Sequence, residues 1–364
     1  MKKIPIHNGS ADEVAQLVQK SYEDMLDTTK TWLDVLAFYP LPQTGTTPKD
    51  VIWRKNKARL YRYISPGLKY KRPVLFIYAL INRPYILDLM PGMSLIEHLV
   101  NSGFDVYMLD WGEFYWEDRN LSYGELVCDY IARAVQKVCM TSGTDDFSLA
   151  GYCMGGTMST MYASLFPEPL IKNLMLLATP IDFSDAGIYS IWLRANNYDA
   201  DRVVDTMNLV TKSFIDFGVK MSKPLNNYWG TYTRLWKSID ENLPIDSWKA
   251  LNKWVDDNIN FPGEAYRQWT KEIYQENKLA KGEFKIKGRT VDLSKITANL
   301  LVMAGSKDHL VLPSQSKIIT DLVSSTDKEY HEFDIGHGGL VFGKNAKNDA
   351  FPLIADWLAR HSQD

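Results

Sequence analysis

The sharpest chemical signal in this 364-residue chain is Gly151-Tyr152-Cys153-Met154-Gly155-Gly156. A cysteine in the pattern G-x-C-x-G falls directly after a predicted strand and directly before a predicted helix. That is the sequence form of a nucleophile elbow, with Cys in the place of the commoner Ser. The turn is so tight that flanking backbones must pass closely, which glycine permits, and the nucleophile itself is expected in a strained conformation. The thiol would stand at a helix N-terminus, whose partial positive charge favours thiolate. Such an elbow calls for an acid and then a histidine further along the chain. Asp308 follows the predicted strand Ala298–Ala304, and His337 lies in the Gly-rich loop Ile335-Gly336-His337-Gly338-Gly339 after the predicted strand Tyr330–Phe333. An oxyanion formed at the site needs two backbone N–H donors. One is expected from Met154, the residue after the nucleophile, and the other from Leu80 or Ile81 in the loop after an earlier strand, with no means of choosing between them. His309 adjoins the acid and reads either as tuning the site or as a hydrogen-bonded structural residue. Arg83, in the same loop as Leu80, reads as meeting either phosphates or an acidic side chain. His7, His98, His331 and His361 have no comparable context and read as surface or structural.

The choice of Cys carries information. Acylation of a thiol by an oxoester runs uphill, whereas acylation by a thioester is a near-balanced exchange that leaves the acyl group activated. A Cys elbow therefore points to a thioester donor and acyl transfer more than to ester hydrolysis.

The elements that must position these residues alternate. Val51–Trp53 and Ala58–Ile64 read as an antiparallel pair, Val74–Leu80 and Val106–Asp110 as buried strands, and Phe147–Ala150 and Asn173–Thr179 as two more. Leu95–Asn101, Gly124–Thr141 and Gly156–Phe166 read as the helices between them. This alternation predicts an α/β fold with a mostly parallel sheet flanked by helices. Between residues 181 and 290 the rhythm stops: the segments are helical and hold six of the 11 tryptophans (Trp192, Trp229, Trp236, Trp248, Trp254, Trp269). The division expected is an N-terminal helical segment over 1–48, a core over 49–180 and 291–364, and a helical cap over 181–290 inserted late in the sheet. Most of the cap tryptophans read as core packing; some are candidates for guiding an apolar chain. The N-terminal segment opens with a Ser10/Glu13 capping box and carries apolar residues at helical spacing over 10–38, either packed on its own core or docking another chain or an apolar surface.

Composition narrows the class. Apolar residues at 45% and charged residues at 23% are ordinary for a globular chain, and 41 basic against 44 acidic residues leave a net charge of −3. That lacks the bulk basic field of most nucleic-acid binders. Three cysteines (Cys128, Cys139, Cys153) are too few for a disulfide framework and wrongly spaced for zinc, so free thiols in the cytoplasm and no metal are expected. The N-terminus has no secretory pattern, and no apolar run approaches the roughly 20 residues that span a bilayer.

Taken together, Ile77-Tyr78-Ala79-Leu80-Ile81-Asn82-Arg83-Pro84-Tyr85, Leu109-Asp110-Trp111-Gly112, the Cys153 elbow, Phe261-Pro262-Gly263-Glu264-Ala265-Tyr266-Arg267-Gln268 and Asp308-His309 resemble the catalytic subunit of polyhydroxyalkanoate synthases, in the short, two-subunit form (classes III and IV). The resemblance runs from about residue 40 to the end. It implies an α/β-hydrolase fold and an acyltransferase that polymerises (R)-3-hydroxyacyl-CoA, short-chain units such as 3-hydroxybutyrate foremost, with release of CoA. Carried onto this chain, it implies that Cys153 holds the acyl or polymer chain as a thioester and His337 deprotonates Cys153. Asp308 orients His337 or helps to activate the incoming hydroxyl. Asn277 matches a cap segment of the family without an assigned role. The CoA thioester is substrate, so no cofactor is expected. The implied partners are a second, smaller synthase subunit and the growing polyester at a cytoplasmic granule surface, in a homodimer or hetero-oligomer. A thioesterase or polyester depolymerase of the same fold is the alternative, and a silent granule-coating protein a distant third. One departure is the His loop, Gly336-His337-Gly338-Gly339-Leu340-Val341-Phe342-Gly343, more Gly-rich than in many relatives, which puts its rigidity in question.

Overall fold

A computed structural model describes residues 11–166, 170–222, 235, 236, 239 and 245–362. Its centre is an eight-stranded sheet: β1 (Lys49–Lys55), β2 (Ala58–Tyr63), β3 (Tyr70–Ile77), β4 (Phe104–Asp110), β5 (Asp146–Tyr152), β6 (Leu170–Leu177), β7 (Asn299–Gly305) and β8 (Lys328–Phe333). The spatial order is β1-β2-β4-β3-β5-β6-β7-β8. β2 pairs antiparallel with β1 and β4, and every other pairing is parallel. β3, β5 and β7 are almost wholly buried, because helices cover both faces, which is why β7 and the second half of β3 read as continuous apolar runs. Register across the middle of the sheet is fixed by a buried polar chain. Asn173 on β6 donates to Ser148 Oγ on β5 at 2.9 Å and accepts from Asn299 Nδ2 on β7 at 3.0 Å. A one-residue slip would break both bonds and strand buried amides.

Six helices carry most of the argument: α1 (Ala11–Phe38), α2 (Leu95–Ser102), α3 (Ala132–Ser142), α4 (Met154–Leu165), α5 (Ile245–Asp256) and α6 (Phe351–Arg360). α2 starts on Ser94, whose hydroxyl accepts from Glu97 N, and stops at Gly103 with φ 98°. The expected helix Gly124–Thr141 is interrupted. A π-helical stretch, Leu126–Ile131, lies between the turn Tyr123–Glu125 and α3, an irregularity that apolar periodicity does not reveal. α4 begins at Met154, two residues before the expected start. Among the described residues no helix is long and apolar enough to cross a membrane.

Between 181 and 290 the described chain contains the helices Ile188–Trp192, Ala200–Met207, Lys212–Met221, α5 and Gly263–Gln268, the last running into a π-helical turn Trp269–Gln275. Two short strand pairs, Leu209–Val210 with Phe261–Pro262 and Lys285–Ile286 with Arg289–Thr290, accompany them. Trp229 lies outside the described residues, as do Ser10 of the proposed capping box and His7. α1 differs from a helix packed on its own core. Val35 is buried, but Leu17, Val18, Tyr22, Met25, Leu26 and Leu33 are about half exposed. The linker after α1 reaches α5 through Tyr39 Oη donating to Asp246 at 2.8 Å and Lys253 Nζ to Thr44 Oγ1 at 3.0 Å.

Candidate active site

The elbow joins β5 to α4. Cys153 sits at φ 53°, ψ −128°, a conformation that L-residues rarely adopt, and its N–H donates to Leu177 O at 2.9 Å. The glycines around it are demanded by contact. A Cβ on Gly155 would stand 2.1 Å from Ile77 O, one on Gly151 2.3 Å from Gly156 Cα, and one on Gly156 1.9 Å from Thr179 Oγ1. The turn is therefore pressed between the ends of β3 and β6, and the half-buried thiol projects from the first turn of α4.

Asp308 and His337 converge on it from the ends of β7 and β8. His337 Nδ1 donates to Asp308 Oδ2 at 2.7 Å. The other carboxylate oxygen, Oδ1, accepts from Leu310 N at 2.8 Å and Val311 N at 3.0 Å, so the acid is fully hydrogen-bonded as well as buried. Burial alone would raise the Asp308 carboxyl. The His337 charge and the hydrogen bonds from His337, Val311 and Leu310 outweigh it and hold the carboxyl below its usual range. Burial alone would lower His337. The negative charge of Asp308 and the Cys153 sulfur, with hydrogen bonds to both, outweigh burial and hold the imidazole well above its ordinary value. With Nδ1 taken by Asp308, Nε2 is the nitrogen that faces the sulfur. The Gly-rich His loop is tied down: Gly339 N, Val341 N and Phe342 N close turns onto Gly336 O and Gly338 O, and Tyr152 Oη donates to His337 O at 3.2 Å.

Met154 opens α4, while Leu80 and Ile81 follow β3, which the Gly155 backbone touches. Among the described residues none of these three N–H groups donates to a backbone carbonyl outside a helix or strand. Leu80 is fully buried, and Ile81 O accepts from Ile259 N across to the cap segment. His309 is half-buried beside Asp308. Arg83 meets acidic side chains, Glu113 at 2.9 Å and Asp257 at 3.9 Å. Asn277 is structural: at φ 52° it accepts from Phe183 N at 2.9 Å and donates to Asp182 Oδ1 at 2.7 Å.

Sequence reasoning missed the tyrosines around the thiol. Tyr78 stacks on Tyr152 with centroids 5.7 Å apart, and Tyr152 lies 5.2 Å from the His337 ring. Burial, then the neighbouring Cys153, raises the phenols of Tyr78 and Tyr123. The elbow motif contains Tyr152 and the β3 loop begins at Tyr78, so these two had a positional signal; Tyr123 had none.

A mostly parallel sheet, a cysteine in a strained elbow after a central strand, and an acid and a histidine on later strand ends define the α/β hydrolase fold, and the sequence model of that fold family matches residues 72–344. Solved structures agree on the fold. A soluble variant of monoglyceride lipase from Saccharomyces cerevisiae superposes with a TM-score of 0.56 at 13% identity, over 89% of this chain and all of that one. A monoacylglycerol lipase from Paleococcus ferrophilus gives 0.52 at 17% identity, over 83% and 99%. Curated relatives are more specific. The poly(3-hydroxyalkanoate) polymerase subunit PhaC of Haloferax mediterranei is 38% identical over 93% of this chain and 69% of its own length. That of Synechocystis is 36% identical over 87% and 85%, and that of Allochromatium vinosum 34% over 86% and 89%. The chain belongs to the family of PhaC subunits of poly(3-hydroxyalkanoate) polymerases.

Proposed function

We propose that this chain is the polymerising subunit of a poly(3-hydroxyalkanoate) polymerase, an acyltransferase that joins (R)-3-hydroxyacyl units from CoA thioesters through a thioester on Cys153. The observation that carries the reading is the Cys153–His337–Asp308 arrangement on the elbow of a chain of this family. His337 Nε2 takes the Cys153 proton and the thiolate attacks the acyl-CoA carbonyl. The C–S bond to CoA then breaks, and CoA leaves as thiol with the proton held on His337. For growth, the 3-hydroxyl of a further acyl-CoA attacks the Cys153 thioester and gives its proton to His337. The ester bond forms as the bond to sulfur breaks, and the lengthened chain on CoA re-acylates Cys153. Asp308 holds His337 in the tautomer with Nε2 toward sulfur. Met154 N–H, with Leu80 or Ile81 N–H, receives the oxyanion. No step calls for a resident cofactor.

The segment 181–290 acts as a lid that keeps water from the thioester. Support comes from its ties to the core: Trp254 Nε1 to Arg83 O at 2.8 Å, Asn260 Nδ2 to Phe114 O at 3.0 Å, and Ile259 N to Ile81 O at 3.0 Å. The half-exposed apolar stripe on α1 is a seat for the second synthase subunit, and the complex works at the surface of the cytoplasmic polyester granule.

The test uses the full chain with (R)-3-hydroxybutyryl-CoA, with and without lysate of a polyester-accumulating cell. Free CoA is read by thiol titration and polymer by turbidity. CoA release with turbidity, both abolished in Cys153→Ala with its fold intact, is the expected result. CoA release with only soluble acid would make the protein a thioesterase, and unchanged release in Cys153→Ala would remove the thiol from the chemistry.

A further inference from the structure

The elbow pattern leaves the residue before the cysteine free. Here it is Tyr152, fully buried at the end of β5. Two rings meet its own. Tyr78 stacks on it, with centroids 5.7 Å apart and planes 11° from parallel. The imidazole of His337 leans on it at 49°, with centroids 5.2 Å apart. Tyr78 is itself pinned: its hydroxyl donates to Asn82 Oδ1 at 3.0 Å, and its carbonyl accepts from Trp111 Nε1 at 2.9 Å. The ring of Tyr152 is therefore a fixed surface against which His337 rests.

The Tyr152 hydroxyl donates to His337 O at 3.2 Å. Phenylalanine would fill the ring site equally well, so the oxygen is accounted for by this bond, which joins the residue before the sulfur to the backbone of the histidine. Gly336 and Gly338 flank His337, and glycine leaves a backbone many conformations. Asp308 holds the ring through Nδ1 at 2.7 Å, but not the backbone that carries the ring. Burial first, then Tyr78, Cys153 and Asp308, hold the Tyr152 phenol well above its ordinary value, so it stays a neutral donor. The ring contact adds an electrostatic effect, since an aromatic ring within about 6 Å attracts a cation, more strongly where both are out of water.

We propose that Tyr152 is a positioning residue for His337, its hydroxyl fixing the backbone of the base and its ring favouring the imidazolium. The assignment rests on the reading of Cys153 and His337 as the reacting pair. The proton that His337 takes from the thiol then meets two supports, the Asp308 carboxylate and the Tyr152 ring. The same residue lets a Gly-rich loop present its histidine in one place.

The test follows Cys153 itself and needs no substrate. Wild type, Tyr152→Phe and Tyr152→Leu, all as full chains, are treated with iodoacetamide across pH, and alkylation of Cys153 is read by peptide mass. Burial pushes the other two thiols up, Cys139 to about 11, so they react slowly near neutrality. Only the thiolate reacts, so the neutral rate at Cys153 reports proton transfer to His337. That rate is expected to fall roughly fivefold in Tyr152→Phe, the size of one net hydrogen bond. It should fall roughly thirtyfold in Tyr152→Leu, which loses the ring as well. At about pH 10, above the ordinary thiol value, the three rates should converge. Equal neutral rates in all three chains, or a loss in Tyr152→Phe as large as in Tyr152→Leu, would overturn the proposal. So would losses that persist at alkaline pH, because a merely distorted site loses rate at every pH. A wild-type rate that only follows ordinary thiol ionisation would overturn it too. Should Tyr152→Leu fail to fold in thermal melts, Tyr152→Phe decides alone: a neutral loss that vanishes at alkaline pH supports the assignment, and an unchanged profile removes it. Wild type with fast neutral alkylation but no CoA release from (R)-3-hydroxybutyryl-CoA would refute the polymerase reading and leave this assignment standing.

Discussion

Asp308→Asn separates charge and tautomer from shape. Oδ1 of Asp308 accepts from Leu310 N and Val311 N, so an amide oxygen must occupy that position; the NH2 group there would face two donors. The amide nitrogen is then forced to the place of Oδ2, 2.7 Å from His337 Nδ1. Nδ1 becomes the acceptor, Nε2 carries the proton, and the ring can no longer take one from Cys153. Loss of a charge-assisted bond costs about 1.5–3 kcal/mol, roughly a 10- to 150-fold rate effect. The wrong tautomer adds to it, so single-turnover CoA release should fall about 10²–10⁴-fold. Stability should respond with a definite sign. His337 is raised in the folded chain, so its contribution is complete below the ordinary imidazole value of about 6.5 and is lost as pH rises through the raised value. The folded chain binds a proton there that the unfolded chain has released. Asp308→Asn should flatten that alkaline decline in thermal melts recorded across pH. Wild-type CoA release in the variant, or an unchanged alkaline slope, would refute the assigned roles.

Two further outcomes test the surroundings. Gly156→Ala should destabilise by about 1–3 kcal/mol in chemical denaturation, because the new Cβ meets Thr179 alone among its nearest atoms; Thr179→Gly should restore most of the loss, and strictly additive effects would sink this contact as the cause. Val18→Asp with Leu26→Asp on α1 should leave stability within about 0.5 kcal/mol, both residues being half exposed, yet abolish any stimulation of CoA release by the lysate; stimulation that survives would remove α1 from the docking role.

Much of this was legible in the sequence because each chemical residue is announced by local constraint. Gly151, Gly155 and Gly156 mark the elbow through contacts shorter than any side chain allows, and β7 and the second half of β3 declare burial on both faces by continuous apolar runs. Asp308 and His337 were found from their place after strands, since the fold delivers strand ends to one edge. What stayed hidden depends on tertiary pairing. The π-helical turns at Leu126–Ile131 and Trp269–Gln275 keep an apolar helical pattern, so period alone cannot show them. The exposure of the α1 stripe is invisible to periodicity, which reports an apolar face and not what covers it. Tyr123 is placed by Gln268, Trp269 and Phe284, all more than 140 positions away.

The strain at Cys153 explains why the proposed nucleophile sits in the rigid middle of the sheet and not on a loop. A non-glycine residue at φ 53° carries about 1–3 kcal/mol of strain and persists only where its surroundings over-determine it. Here three independent constraints do so. Leu177 O takes the Cys153 N–H, Gly155 rests on Ile77, and Gly156 rests on Thr179, so relaxation of the turn would have to move β3 and β6 together. The register of β6 is in turn locked by Asn173. On the proposed mechanism a lengthening chain returns to one sulfur at every cycle, which needs that sulfur in a single place relative to His337 while the acyl group changes. On that reading the movement that a growing chain requires falls to the segment over the sheet, and the elbow itself need not move.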